Sequence, residues 1–148
     1  MPPQSLSLDS FIPYRLSVAA NAASAVIATL YQRRFGISIP EWRVIAILGE
    51  GAPLAPRAIV ERARLDKVTV SRAAKTLESR GLLARSSDHD DQRSHRLALT
   101  GPGRALYEAV APEALALEAR LLAGFADWER GALEGLLRKV EDAAASIR

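Results

Sequence analysis

The sequence predicts a mainly α-helical protein that carries one small β-hairpin. Over most of the chain apolar residues recur at three- and four-residue spacing, which is the period of one helix face. Only two short runs, residues 82–85 and 96–99, alternate in the manner of strands, and they flank a polar tip at 86–94. Because the chain has 148 residues and 49% of them are hydrophobic, we expect a single domain over 1–148.

The first half of the chain begins with two predicted helices. A first helix over 12–35 has its apolar positions on one face, and Gly36 is placed to end it. Pro40 suits the first turn of a second helix over 40–48. These two helices precede the basic middle of the sequence.

The middle of the chain contains a short helix over 56–63 and a second helix over 67–80, with Asp66 as its N-cap. The hairpin follows directly. A helix, a short turn, a capped helix and a hairpin make up the layout of a winged helix-turn-helix lobe, which we assign to residues 37–100.

Two further helices are predicted over 104–148, the first interrupted by Pro112 and the pair divided near 127–131. The last helix has a narrow apolar seam formed by Leu133, Leu137, Val140, Ala144 and Ile147. The outer helices, 12–35 and 104–148, therefore carry more apolar surface than the lobe can cover. A second copy of the chain is the simplest cover, so we expect them to be dimerisation helices of a homodimer.

Charge and composition narrow the function classes. Residues 57–104 hold eleven Lys and Arg against six Asp and Glu, whereas the rest of the chain has a balance of −2. The absence of cysteine excludes disulfides, thiolate nucleophiles and Cys-ligated zinc. The uncharged run between Arg15 and Arg33 is too polar for a membrane span, and nothing resembles a signal peptide. We expect a cytoplasmic protein with no membrane partner.

The predicted helix over 67–80 has two chemically different faces. Its apolar side can pack inward against Ile59, Ala63 and Leu83 and consists of Val70, Ala73, Ala74 and Leu77. Its other side presents hydroxyls, a branched apolar residue and long cations: Lys67, Val68, Thr69, Ser71, Arg72 and Lys75. These groups suit base edges, a thymine methyl and phosphates. Arg72 is the first candidate for a base contact, and Lys75 for a phosphate.

The hairpin tip mixes acids with the cations Arg93 and Arg96. If Asp91 braces Arg93, that arginine can extend into the narrow, electronegative minor groove of a duplex. The alternative is a solvated turn with exposed ion pairs.

Four stretches carry a family resemblance: 65–72, 77–85, the wing sequence 91–93 with its return at 97–103, and 31–48 with Phe35, Gly36 and Trp42. They strongly resemble the multiple antibiotic resistance regulator (MarR) family, and the resemblance covers nearly the whole chain. Three residues depart from the usual pattern: Val68 stands where a small polar residue is commoner, and Ala73 and Ala74 are smaller than usual. These departures bear on the target sequence.

The resemblance implies a homodimer that binds a pseudopalindromic duplex through two lobes and acts as a transcription regulator, most simply a repressor. It also implies a small anionic or aromatic effector that binds in a crevice between the dimer helices and the lobe. Five residues fall near that crevice: Tyr14, Arg15, Tyr31, Trp42 and Arg43. A tryptophan on an apolar face, such as Trp42, is more often a core residue than a ligand contact, and the two arginines are equally consistent with surface ion pairs.

Two other function classes remain as alternatives. His89 and His95 lie among the acids of the hairpin tip and could suggest a metal or acid-base site, but their spacing fits neither the H-x-x-x-H nor the H-E-x-x-H pattern. We therefore expect no enzyme, metal or cofactor. The second alternative is a winged-helix module that binds another protein without specific DNA binding.

Overall fold

The computed structural model describes residues 4–88 and 91–148, and the side chains of all of these except 88 and 91–94. It confirms a mainly helical chain with one antiparallel hairpin. After a 3₁₀ turn at Leu8–Ser10, the elements are α1 (Ile12–Phe35), α2 (Ile39–Gly49), α3 (Pro56–Ala63), α4 (Lys67–Ser79), β1 (Leu83–Asp88), β2 (Asp91–Leu99), α5 (Gly101–Leu121) and α6 (Asp127–Ile147).

Local signals determine where the first two helices end and begin. Gly36 has φ 63° and follows α1 in the left-handed conformation, which glycine adopts without a steric penalty. α2 starts one residue earlier than predicted, because Ser38 and Glu41 form a reciprocal capping box around its first turn.

The hairpin is longer than its alternating sequence predicts. Leu83 pairs with Leu99 at its base, and Arg85 pairs with Leu97 further out. The backbone of Leu54 exchanges two hydrogen bonds with Leu97, at 2.8 and 3.0 Å, and so fixes the base of the hairpin to the loop before α3. The polar positions beyond 85 extend the strands because cross-strand pairing continues without an apolar face.

Two expectations about α5 are wrong. The helix begins at Gly101 rather than at 104, and it continues through Pro112 to Leu121. A proline removes one backbone hydrogen bond but does not prevent helical dihedral angles, so a long helix with packed residues nearby can contain it. Leu106 and Val110 are buried in the turns before Pro112. The break between the last two helices falls at 122–126, just ahead of the predicted position.

The chain divides into two compact units, residues 1–114 and 115–148. The first unit contains the hydrophobic core, in which Ile37, Val44, Ile45, Leu48, Ile59, Leu77, Leu97 and Val110 are almost fully buried. The second unit has no buried residue among its side chains, and its large apolar residues are exposed: Leu115, Leu121, Phe125, Trp128, Leu133, Leu136, Leu137, Val140 and Ile147. Within the described ranges, no helix is long and apolar enough to cross a membrane.

Candidate nucleic-acid interface

The apolar face of α4 is buried, and its opposite face is mostly exposed. Val70, Ala73, Ala74 and Leu77 are all buried, as predicted, and so are Ile59, Ala63 and Leu83. On the other face Lys67, Val68, Ser71, Arg72 and Lys75 are exposed, while Thr69 is half-buried. Val68 keeps 59% of its surface exposed although it is apolar. The structure thus places the predicted base-reading residues on one open surface of one helix.

The cations of this surface are available for a ligand. Within the described part of the chain, no hydrogen bond or ion pair engages the side chain of Arg72 or Lys75. Arg72 borders a shallow groove of about 200 Å³ between α4 and the start of α2, which Ser38 and Glu41 line from the other side. An unpaired arginine on a protruding helix can offer its donors to a base edge or to a phosphate.

Asp66 fixes the first turn of α4. Its carboxylate accepts a hydrogen bond from the Thr69 backbone N–H at 2.8 Å and another from the Thr69 hydroxyl at 2.7 Å. Since the only hydroxyl hydrogen of Thr69 is used in this cap, that oxygen can accept from a base amino group but cannot donate to a phosphate. The candidate role of the Thr69 hydroxyl is therefore limited to accepting a hydrogen bond from a base.

The same cap makes the stability of α4 dependent on pH. The side-chain and backbone hydrogen bonds from Thr69 lower the pKa of Asp66 below its ordinary value of 3.8. A lowered folded-state pKa stabilises the protein above the unfolded value, and this contribution is lost as the pH falls through the folded pKa. We expect Asp66→Asn, which keeps an acceptor oxygen, to lose less stability than the native chain as the pH falls below about 4.

Urea denaturation of both chains over a pH series measures this difference. Because the other carboxylates are common to the two proteins, their effects cancel in the comparison. A stability difference that stays constant between neutral and acidic pH would show that the cap does not titrate as expected.

Of the three wing side chains in the predicted DNA contact, only Arg96 is among those that the structure describes. The side chains of Asp91 and Arg93 lie outside the described residues, so their proposed brace stays a prediction, although β2 begins at Asp91. Arg96 is exposed and lies opposite Ser86 in the hairpin. Sequence reasoning missed the side-chain cluster nearer the base of the wing, where Arg85 contacts both Glu78 and His95.

The five candidate effector residues do not form one site within a single chain. Tyr31 is buried and stacks on Trp42 with 5.5 Å between ring centroids, and Trp42 stacks on Tyr107 at 6.2 Å. Burial raises the pKa of Tyr31, and the positive charge of Arg43 offsets part of that effect. This column joins α1, α2 and α5, so Trp42 contributes to packing as its alternative interpretation proposed.

Tyr14 and Arg15 lie far from that column. They precede Tyr31 by four to five turns of the same helix, a separation of roughly 25 Å along a straight α1. Arg43 donates to the Ala63 carbonyl oxygen at 3.2 Å, which ties it to the end of α3. Sequence reasoning did not identify Tyr107 as part of this aromatic column. Its ring lies so close to Gly49 that a Cβ there would come within 2.5 Å of it.

The histidines give no metal site among the described residues, where no cluster of three or more His, Asp or Glu side chains is placed to hold an ion. His95 Nε2 instead lies 2.8 Å from Arg85 Nη1. His89 is outside the described residues.

The sequence and the fold of this chain are similar to those of known proteins. A sequence model of the MarR family matches residues 35–94, which include α4, β1 and the start of β2. The uncharacterised HTH-type transcriptional regulator YwaE of Bacillus subtilis is 30% identical over 143 residues, covering 96% of this chain and 84% of its own length.

Two solved structures are similar over almost the whole chain. A MarR/EmrR family transcriptional regulator from Acinetobacter sp. ADP1 superposes with a TM-score of 0.87 at 29% identity, over 95% of this chain and 99% of its own. Bordetella bronchiseptica BpsR, whose DNA binding is regulated by 6-hydroxynicotinic acid, gives 0.85 at 26% identity, over 94% and 99%.

Proposed function

The chain belongs to the MarR family of winged helix-turn-helix transcription regulators, and we propose that it is a ligand-responsive repressor that binds a pseudopalindromic operator as a homodimer. DNA-binding regulation is the function of the family, whereas the operator, the dimer and the ligand belong to the proposal. The observation that supports this proposal is the open cationic face of α4. Lys67, Arg72 and Lys75 are exposed there beside Val68, and the opposite face of the helix is sealed in the core.

The proposed docking places α4 in the major groove. A helix of 13 residues is roughly 20 Å long, and the groove of B-DNA is wide enough to admit it. In this position Arg72 reads a base edge, Val68 contacts a thymine methyl, and Ser71 and Thr69 meet nearby bases. Lys67 and Lys75 hold the flanking phosphates.

The wing adds a second contact on the outer side of each half-site. Arg93, braced by Asp91, enters the minor groove, and Arg96 holds the adjoining backbone. Of the described wing side chains, those further from the base of the hairpin than Leu97 are not buried. This contact favours narrow minor grooves more than any one sequence.

A homodimer follows from the apolar surface that the chain leaves exposed. The unit 115–148 buries none of its described side chains, and within the other unit Phe11 and Ile12, at the start of α1, are exposed as well. Surface of this kind needs a partner, and two-fold pairing of identical chains is the commonest solution. Two lobes related in this way would contact half-sites whose centres are about 10 base pairs apart.

The proposed effector is a small aromatic or anionic molecule. Because Tyr14 and Arg15 are too far from Tyr31 and Trp42 in one chain, the proposed crevice requires that a second copy bring its own α1 alongside. The related BpsR responds to 6-hydroxynicotinic acid, an aromatic carboxylate. An arginine beside aromatic rings suits such a ligand.

Selection of bound fragments from the host genome, followed by affinity measurements over a salt series, tests the proposal. We expect a recurrent two-fold site and an affinity that falls steeply as salt rises, because phosphate contacts release counterions. If the chain is instead a winged-helix module that binds another protein, we expect neither a recurrent DNA site nor a steep salt dependence. Binding without sequence preference, or without salt dependence, would contradict operator recognition.

A further inference from the structure

One guanidinium connects three elements at the base of the wing. Arg85 of β1 donates from Nε to both carboxylate oxygens of Glu78 on α4, at 2.8 and 2.9 Å. The same side chain donates from Nη1 to Nε2 of His95 on β2 at 2.8 Å. Since arginine only donates hydrogen bonds, Nε2 of His95 is the acceptor in this contact.

The cluster lies at the level where the hairpin leaves the core, so its contacts can restrain the wing. Leu97 pairs with Arg85 across the hairpin, and backbone bonds to Leu54 hold that level of the strands to the core. Beyond it the hairpin continues as a two-stranded ribbon, which has little stiffness of its own. His95 lies two residues further out than the buried Leu97, so Arg85 holds the ribbon just past that residue.

Glu78 supplies the fixed end of the brace. It lies in the last turn of α4, immediately after the buried Leu77, and its side chain is only 26% exposed. Between α4 and the wing runs a groove of about 560 Å³ that Lys67, Ser71 and Ala74 line from the same helix, with Arg85 and His95 opposite. The Glu78–Arg85 pair links the helix proposed to read bases directly to the hairpin.

We propose that Arg85 is a positioning residue that sets the angle of the wing against α4, with Glu78 and His95 as the acceptors that hold its guanidinium. This inference rests on the proposed DNA-binding function for its consequence. A wing held at one angle presents Arg93 to the minor groove while α4 occupies the major groove, without an ordering cost at the moment of binding.

The first test measures the wing itself, without DNA. The native chain has no cysteine, so Ser86→Cys on the wing and Arg62→Cys on α3 accept two spin labels selectively. Dilution with unlabelled chain isolates distances within one copy. We expect a narrow distance distribution in the labelled parent, and a clearly broader one after Arg85→Met or Glu78→Ala. Arg138→Met is the matched control, because Arg138 pairs with Glu134 within α6 alone. Unchanged widths in Arg85→Met and Glu78→Ala would overturn the proposal.

The second test is a double-mutant cycle on a specific DNA site. We expect Arg93→Ala to weaken binding about tenfold in the native background but only about twofold with Arg85→Met, a coupling within the range for residues that share one network. An equal effect in both backgrounds would overturn the positioning role in DNA binding. If Arg93→Ala has no effect in the native chain, the proposed wing contact fails, while the label distances still decide the role of Arg85.

Glu78→Ala separates positioning from a direct phosphate contact by Arg85. Removing the carboxylate would free Arg85 and delete a negative charge, so a direct contact predicts tighter DNA binding. Positioning predicts that the Arg93 contribution shrinks as it does in Arg85→Met. Tighter binding with an undiminished Arg93 effect would overturn the proposal.

Discussion

Arg72→Ala is expected to weaken binding to the specific site by about 1 to 3 kcal/mol and to relax the preference at one base position. The side chain lies on the exposed face of α4, and no described residue binds its guanidinium. A bidentate contact to guanine would therefore form without breaking an internal bond. Competition between the operator and single-base variants, measured at constant salt, gives both the loss and the position that is affected.

Two further variants locate the origin of that loss. Arg72→Lys keeps the charge but cannot form the same fork of donors, so it should recover the phosphate attraction without the base preference. Lys75→Ala should weaken all sequences about equally and reduce the salt slope by about 1. Specific binding that survives Arg72→Ala unchanged would remove this residue from base reading.

The elements that could be predicted from sequence are those with local causes. Gly36 ends α1 because its left-handed φ is a property of that residue, and Asp66 caps α4 through an oxygen three residues from Thr69. The burial of Val70 and Leu77 follows from helical spacing alone. Such signals lie within one or two turns of the chain, where no knowledge of the fold is needed.

The remaining features depend on contacts between residues that are distant in sequence, or on packing that offsets a local cost such as that of a proline in a helix. Tyr107 stacks on Trp42 across 65 positions, and the close approach of its ring to Gly49 is visible only in the folded chain. Pro112 was expected to interrupt α5 because its local cost was visible and the packing of Val110 was not. The role of Arg85 requires the hairpin register, which the polar sequence of the tip does not specify.

Leu77→Ala is expected to reduce the free energy of unfolding by about 2 to 5 kcal/mol, the range for truncating a buried leucine in a core that relaxes incompletely. Leu77 is fully buried, and its backbone carbonyl also accepts the Leu82 N–H at 2.9 Å where the chain turns into the wing. The cavity would open beneath α4, in the core cluster that also contains Ile59 and Leu83. Urea denaturation at one fixed protein concentration measures the loss, because the stability of the proposed homodimer would depend on concentration.

Thr76→Ala provides the comparison for Leu77→Ala, since Thr76 is the exposed neighbour on the same helix and its loss should change stability by no more than about 0.5 kcal/mol. Together with Arg72→Ala, these variants separate the two faces of α4. Arg72→Ala should lower DNA affinity at native stability, and Leu77→Ala should lower stability while the molecules that remain folded bind DNA with nearly native affinity. A loss below about 1 kcal/mol for Leu77→Ala would mean that the core closes around the missing methyl groups, and that this face of α4 is less tightly packed than its burial indicates.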